Sequence, residues 1–122
     1  MEAKHIVGLP YAALNASLSL SLAHARVHLS VQAIRHICER HPHDAAFCLQ
    51  ALEPTIITPD YAGQSPRHPD NFVLIKTLET RTLLVAIRTS VDRLGDYPIQ
   101  SAYVIDASTV QRRLRKGYFI VL

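Results

Sequence analysis

Apolar residues run almost without interruption through parts of the second half of the chain and predict strands there. Residues 71–78 and 82–89 are two apolar runs joined by the polar segment 79–81, a pattern typical of a hairpin of buried strands. Residues 97–105 predict a longer strand, and residues 118–122 predict a last one.

The first half of the chain favours helices. Polar and apolar residues alternate over residues 24–29, which predicts one strand with Ala25, Val27 and Leu29 inward and His24, Arg26 and His28 outward. Ser30 is expected to cap a helix over residues 31–40. Pro42 ends this helix because a proline disfavours helical backbone at the residue before it. Apolar residues at helical spacing predict its buried face: Val31, Ile34, Ile37 and Cys38.

The middle of the chain predicts a second short helix over residues 45–52, with Asp44 as its N-cap. Glu53 and Pro54 are expected to end it, because a proline inside a helix removes a hydrogen bond. Residues 55–58 then predict a short strand. The polar segment 59–70 holds three prolines and predicts a loop.

Two further segments complete the prediction. Ser108 is expected to cap a basic helix over residues 109–116, which Gly117 ends. Residues 10–22 fit two structures: Pro10 suits the first turn of a helix, whereas the alternation of serine and leucine further on suits a strand.

This order of elements predicts an α+β fold, in which two N-terminal helices pack on a mostly antiparallel sheet and a C-terminal basic helix and final strand follow. The length of 122 residues argues for one domain, residues 1–122, and 48% apolar residues suffice for a core without disulfides or metals. The glycines are too far apart for a nucleotide-binding motif. Cys38 and Cys48 form no C-x-x-C pair, so we expect buried free thiols in a reducing compartment. We also expect no cofactor.

The N-terminal segment bears on localisation. Residues 5–25 contain no Lys, Arg, Asp or Glu. They end in Ala23-His24-Ala25, and this tripeptide resembles a signal-peptide cleavage site. Pro10, Asn15 and several serines dilute this stretch, so the sequence favours a cytoplasmic protein, with secretion or delivery as a toxin as the alternative. No segment reaches the ~18 uninterrupted apolar residues of a membrane span, so we expect no membrane association.

Histidines supply the first candidate chemistry. His36 and His41 are five residues apart, which separates them by about 140° around a helix, so they cannot bind one metal ion from the same face. We therefore expect no metal there. His41 ends its helix, where the helix dipole favours the protonated imidazole, and His36 lies opposite the apolar stripe. Both are candidates for general acid and base catalysis, and the alternative is a pair of ordinary exposed histidines.

Polar residues within the predicted strands supply a second set. Ser101 and Tyr103 share one face of their strand. Lys76 interrupts an apolar strand and Arg88 closes another. Such a cation is either an anion contact in a site or an edge residue whose charged end reaches solvent.

The C-terminal helix carries a third feature, the run Arg112-Arg113-Leu114-Arg115-Lys116. Val110 and Leu114 are expected to anchor this helix to the sheet, leaving Arg112, Arg113 and Lys116 outward. The net charge of +3 is mildly basic, and such a helix suits phosphate contact. The alternative is that the cations only complement the helix dipole.

Nine short runs of the sequence, in order, resemble a phage-associated nuclease family of the barnase–EndoU–colicin–RelE-like ribonuclease superfamily. They are Ile6-Val7-Gly8, Val27-His28-Leu29-Ser30, Ile34-Arg35-His36-Ile37, Arg40-His41-Pro42, Leu52-Glu53-Pro54-Thr55-Ile56-Ile57, Asn71-Phe72-Val73-Leu74-Ile75-Lys76, Leu83-Leu84-Val85-Ala86-Ile87-Arg88, Ser101-Ala102-Tyr103 and Arg112–Gly117. The resemblance implies a small bacterial ribonuclease of toxin or effector type that needs no metal.

The inventory of cations, histidines, a serine and tyrosines suits cleavage of RNA by its own 2′-hydroxyl. Together with the resemblance, this inventory predicts an endoribonuclease, with tRNA as one candidate substrate. The toxin role that the resemblance implies also predicts an immunity or antitoxin protein as partner. The catalytic candidates are His36, His41, Ser101, Tyr103, Lys76 and Arg88, and the substrate-binding candidates are Arg40, Arg112, Arg113 and Lys116. The alternatives are an inactive module that binds RNA or protein, and an ADP-ribosylating toxin, against which the lack of a nucleotide-binding motif argues.

Overall fold

The computed structural model describes residues 2–65 and 67–122. These residues form four helices and seven strands. In chain order the elements are β1 (Lys4–Ile6), α1 (Tyr11–Leu18), β2 (Val27–Leu29), α2 (Val31–Arg40), α3 (Ala45–Ile57), β3 (Tyr61–Gly63), β4 (Asn71–Leu78), β5 (Arg81–Arg88), β6 (Tyr97–Ile105), α4 (Ala107–Arg115) and β7 (Phe119–Val121).

The strands form one sheet in the order β1-β2-β6-β5-β4-β3-β7. Its centre is the predicted hairpin of β4 and β5, which pair in register from Asn71 opposite Arg88 to Leu78 opposite Arg81. The short pairing of β2 with β6 is parallel, and the other pairs are antiparallel. The predicted α+β fold with a mostly antiparallel sheet is therefore confirmed.

Each face of the sheet has its own apolar cluster. The larger cluster joins one face to α1, α2 and α3 through fully buried side chains such as Leu14, Ile37 and Leu52. The smaller cluster lies on the opposite face, where Val110 and Leu114 of α4 pack on Ile75 and Leu84. The predicted anchoring of the basic helix by Val110 and Leu114 is confirmed.

An irregularity in β6 decides which of its side chains lie on which face. Ile87 pairs with Ile99 and Ala86 pairs with Ser101, which leaves Gln100 as the extra residue of a β-bulge. As a result Ile99 and Ala102 both belong to the larger cluster. Tyr103, two residues after Ser101, packs against the smaller cluster.

Helix α2 has the predicted bounds and caps. The Ser30 hydroxyl accepts a hydrogen bond from the Ala33 N–H at 3.0 Å, and the backbone N–H of His41 donates to the Ile37 carbonyl at 2.9 Å. The predicted stripe was wrong at two positions, because Val31 is 50% exposed and Cys38 is exposed. Ala33 is buried instead, four residues before Ile37 and therefore on the same side of the helix.

The second predicted helix begins at Ala45 as predicted, but its predicted end and the strand predicted over residues 55–58 were wrong. Helix α3 continues through Pro54 to Ile57, so no strand forms over 55–58. Pro54 removes the hydrogen bond to the carbonyl of Gln50, but Gln50 is exposed, and a solvent-facing carbonyl loses little because water can replace the donor. The side chain of Asp44 makes no cap hydrogen bond and forms an ion pair with Arg81 instead.

The N-terminal segment differs from the prediction in extent. Residues 10–22, which fitted two structures, contain the helix α1, with Pro10 as its N-cap. The strand predicted over 24–29 is shorter, Val27–Leu29. It pairs with β1, which sequence pattern did not predict.

Two later segments also needed correction. The loop predicted over 59–70 contains β3, which lies between β4 and β7. The N-cap of α4 is Asp106, whose carboxylate accepts from the Thr109 N–H at 2.7 Å, and the Ser108 hydroxyl donates to this carboxylate. These hydrogen bonds lower the pKa of Asp106. Gly117 follows α4 with a φ of 76°, as its predicted role at the end of the helix requires.

Within residues 2–65 and 67–122, no helix combines the length and the apolar character needed to cross a membrane.

Candidate functional site

A cavity of about 500 Å³ opens on the face of the sheet that carries α4. The strands β4, β5 and β6 form its floor through Val73, Leu84, Ala86 and Tyr103. The end of α4 and the residues after it form one wall. The segment that follows β3 forms the other wall, and the wall residues are Gln64, Ser65, Arg67, His68, Asn71, Arg113, Lys116, Tyr118 and Phe119.

The lining of this cavity is cationic. Arg67 comes from the segment after β3, Arg113 comes from the last turn of α4, and Lys116 is the C-cap residue of this helix. The described lining residues include no acidic side chain. Arg113 is half-buried, with its guanidinium 5.5 Å from the centre of the Phe119 ring. The packing of this cation on an aromatic face fixes it at the cavity wall. The cavity therefore favours an anionic ligand.

Tyr103 connects the floor of the cavity to helix α2. The pairing of β2 with β6 spans Tyr97 and Pro98, and α2 packs beside β6. His41, the first residue after α2, lies against Tyr103 with ring centroids 5.5 Å apart and an interplanar angle of 29°. The structure thus brings together two of the predicted catalytic residues, from segments more than sixty positions apart in the chain.

Ser101 and Arg88 lie on the same sheet face as Tyr103. Ser101 pairs with Ala86, which lines the cavity. Arg88 is two residues beyond Ala86, so it projects from the same face, and it pairs with Asn71 at the cavity wall. Arg88 is exposed, which leaves its guanidinium accessible at this end of the sheet.

Lys76 lies elsewhere, and its prediction as part of this cleft was wrong. It alternates with Phe72 and Leu74, which belong to the larger apolar cluster, so it projects from the other face of the sheet. Its Nζ donates to the Thr58 carbonyl at 2.6 Å and lies 3.7 Å from an Asp60 carboxylate oxygen. Its charge is therefore compensated within the fold.

Of the remaining predicted residues, Arg112, Arg40 and His36 do not line the cavity. Arg112 is exposed on α4 and does not line the cavity, and the predicted outward direction of Arg113 was wrong because it packs on Phe119. Arg40 is exposed in the last turn of α2. His36 is half-buried on the same helix and does not line the cavity.

Sequence reasoning missed the wall formed after β3. Arg67 and His68 lie in the segment predicted as a loop, and a basic dipeptide in a proline-rich loop was the available signal. Asn71 was assigned only to a strand. Its side-chain oxygen is buried and, among the described residues, has no hydrogen-bond partner.

Comparison with known proteins gives no relative: no family model, no curated protein and no solved structure matches this chain. The resemblance to a nuclease family therefore stays a prediction, and a functional hypothesis has to rest on the cavity and its surroundings.

Proposed function

We propose that this protein is an endoribonuclease that binds RNA at the cavity and cleaves it without a metal ion. The observation that carries the proposal is the contact of His41 with Tyr103 beside a cavity whose charged side chains are cationic. An imidazole can transfer protons near neutral pH, and the cations would hold the phosphate on which the proton transfers act.

The size and lining of the cavity suit a nucleotide unit. Its volume of about 500 Å³ lies within the range of pockets for small ligands. Tyr103 and Tyr118 line it, and aromatic rings bind single-stranded RNA by stacking on unpaired bases. A loop or end of RNA is therefore the favoured substrate, and tRNA, which has such loops, is one candidate.

The reaction would transfer the phosphate within the RNA strand. A general base takes the proton of the 2′-hydroxyl, the 2′-oxygen bonds to phosphorus, and the bond to the 5′-oxygen breaks as a general acid protonates that oxygen. The products carry a 2′,3′-cyclic phosphate and a 5′-hydroxyl. His41 takes one of the two proton-transfer roles, and His68, which lines the cavity, replaces His36 as the second candidate.

The cations have a separate role in this mechanism. Arg113 and Lys116 would neutralise the phosphate in its dianionic transition state, as positioned cations do at phosphoryl groups. Arg88 and Ser101 would contact the neighbouring part of the strand from the same sheet face. Arg40, one residue before His41, would contact a more distant phosphate.

An immunity or antitoxin protein and a location in the bacterial cytoplasm, with delivery as a toxin, belong to the same proposal. A protein that neutralises this site would have to cover a cationic cavity, so we expect it to present an acidic surface. The cations of the cavity wall, Arg67, Arg113 and Lys116, would be its contacts.

The test is incubation of the protein with total RNA in the presence of EDTA, followed by mapping of the new ends. The proposal predicts cleavage with 2′,3′-cyclic phosphate ends. His43→Ala is the matched control, since His43 is an exposed histidine two residues from His41, and it should cleave like the wild type. Binding of RNA without cleavage would instead identify an inactive binding module.

A further inference from the structure

Two histidines face each other across the first two strands, away from the cavity lining. His5 of β1 pairs with His28 of β2 in the antiparallel register. Their imidazoles are stacked, with ring centroids 4.7 Å apart and an interplanar angle of 17°. Directly opposed side chains on adjacent strands are close enough to bind one ion together.

Asp96 completes this group from the residue before β6. Its side chain is 3% exposed, and one carboxylate oxygen lies 3.1 Å from His5 Nε2. His5, His28 and Asp96 each offer one potential ligand atom, and these three atoms lie within 4.8 Å of one another. A buried carboxylate beside two imidazoles is a donor set that Zn²⁺ binds in proteins.

The ligand atoms of the three residues would have to move only slightly closer together to bind one Zn²⁺ ion. Zn²⁺ bonds of about 2.0–2.1 Å in a tetrahedral site place neighbouring donor atoms about 3.3 Å apart. The separation of 3.1 Å between His5 and Asp96 already fits. The wider separations can close by rotation of the imidazoles, whose side chains are 36% and 20% exposed and therefore free to adjust. The same exposure gives water access to a fourth position.

Side chains that contact the proposed ligands also support a metal site. His28 Nδ1 lies 3.5 Å from an Asp92 carboxylate oxygen, and a histidine whose Nδ1 faces a carboxylate presents Nε2 to a metal. The Asp92 carboxylate accepts hydrogen bonds from the backbone N–H groups of Leu94 at 2.9 Å and Asp96 at 3.1 Å, which hold it in place behind His28. Arg26 contacts both oxygens of the Asp96 carboxylate: its Nε lies 3.2 Å from Asp96 Oδ1 and its Nη2 donates to Oδ2, the oxygen that faces His5, at 3.4 Å. A metal ion on Oδ2 would displace the longer of these two contacts and leave the one to Oδ1 in place.

We infer that His5, His28 and Asp96 form a binding site for one Zn²⁺ ion. The ion would join β1 and β2 to β6, where the pairing of β2 with β6 spans Tyr97 and Pro98, and it would thereby stabilise this edge of the fold. The inference is independent of the proposed ribonuclease activity, because the two sites share no residue.

Calorimetric titration of the EDTA-treated, desalted protein with ZnCl₂ tests the site. At pH 7.5 we expect one equivalent to bind and the unfolding temperature to rise. His5→Gln and His28→Gln should each weaken binding about tenfold or more. Binding should also weaken at pH 5.5, because protonated imidazoles cannot bind the metal.

Two further variants serve as controls for the Zn²⁺ titration. Asp92→Asn removes the contact behind His28 and should weaken binding by a smaller factor, whereas His43→Gln removes an exposed histidine outside the group and should leave it unchanged. Each variant's unfolding temperature without metal shows that it folds. Equal Zn²⁺ binding by wild type, His5→Gln and His28→Gln, or no binding by the folded wild type, would overturn the inference.

Discussion

The imidazole of His41 lies 5.5 Å, centroid to centroid, from the ring of Tyr103. This contact joins the end of a helix on one side of the sheet to a strand residue that lines the cavity on the other side. Contact across the sheet is possible because α2 packs beside β6. The proposed chemistry depends on this pair more than on any single residue.

Two substitutions of Tyr103 distinguish the contribution of its ring from that of its hydroxyl. In the proposed mechanism the Tyr103 hydroxyl would donate a hydrogen bond to the phosphate in the transition state. Tyr103→Phe keeps the ring against His41, so we expect folding and RNA affinity close to wild type, with cleavage lower by about 10²-fold because this donor is lost. Tyr103→Ala should lower both affinity and cleavage. Filter binding and single-turnover cleavage measure the two effects. Full cleavage by Tyr103→Phe would remove the hydroxyl from the mechanism.

Two pairs of cations in α4 and at its C-cap provide a matched comparison of RNA binding. Arg113 and Lys116 line the cavity, whereas Arg112 and Arg115 are exposed and do not. The double variant Arg113→Ala with Lys116→Ala should flatten the salt dependence of RNA affinity by about one to two phosphate contacts. Arg112→Ala with Arg115→Ala, which removes the same charge, should change it less. Equal changes in the two slopes would mean that only the net charge of the helix matters.

Gly63 sets how closely β3 approaches the cavity wall. A Cβ at this position would overlap the backbone carbonyl oxygen of Tyr118 and lie 2.9 Å from a ring carbon of Phe119. Gly63→Ala must therefore shift β3 from β7, at a cost of about 1–3 kcal/mol, the usual range for an overfilled interior. Urea unfolding followed by circular dichroism measures it. A variant as stable as the wild type would show that the strands separate without strain.

The two cysteines should differ in reactivity. Cys38 is exposed and Cys48 is buried, and burial, with the nearby Asp44 carboxylate, raises the pKa of Cys48 to about 11. The raised pKa favours the neutral thiol, so its contribution to stability is complete below the ordinary thiol pKa and is lost as pH rises through the folded value. A disulfide reagent at pH 8 should therefore modify only Cys38 rapidly. Two equally fast thiols in the folded protein would contradict this burial.

The sequence pattern correctly predicted the elements whose bounds are set by residues nearby in the chain. The bounds of α2 follow from Ser30 and Pro42, and those of β4 and β6 follow from apolar runs between polar segments. The chain passes through Pro54 as a helix because the rest of α3 packs against the sheet, which outweighs the missing hydrogen bond. Tyr61–Gly63 becomes a strand only because β4 and β7 flank it.

The candidate site was predicted in part for the same reason. Strand alternation places Ser101 and Tyr103 together, and the helix end isolates His41. The register between distant strands was not readable from the sequence, so Lys76 was assigned to the wrong face. Arg67 and His68 were missed because the wall after β3 is defined by its place opposite α4, not by a local pattern.

The most direct test of the account is the cleavage rate of His41→Ala on an RNA that the wild-type protein cleaves in EDTA. Loss of a proton-transfer group predicts a rate lower by about 10²–10⁴-fold, with the unfolding temperature and RNA affinity nearly unchanged. The wild-type rate should follow a bell-shaped pH profile near neutrality, and one limb should disappear in the variant. A folded His41→Ala protein that cleaves as fast as the wild type, with the same pH profile, would contradict the proposed role of the His41–Tyr103 pair.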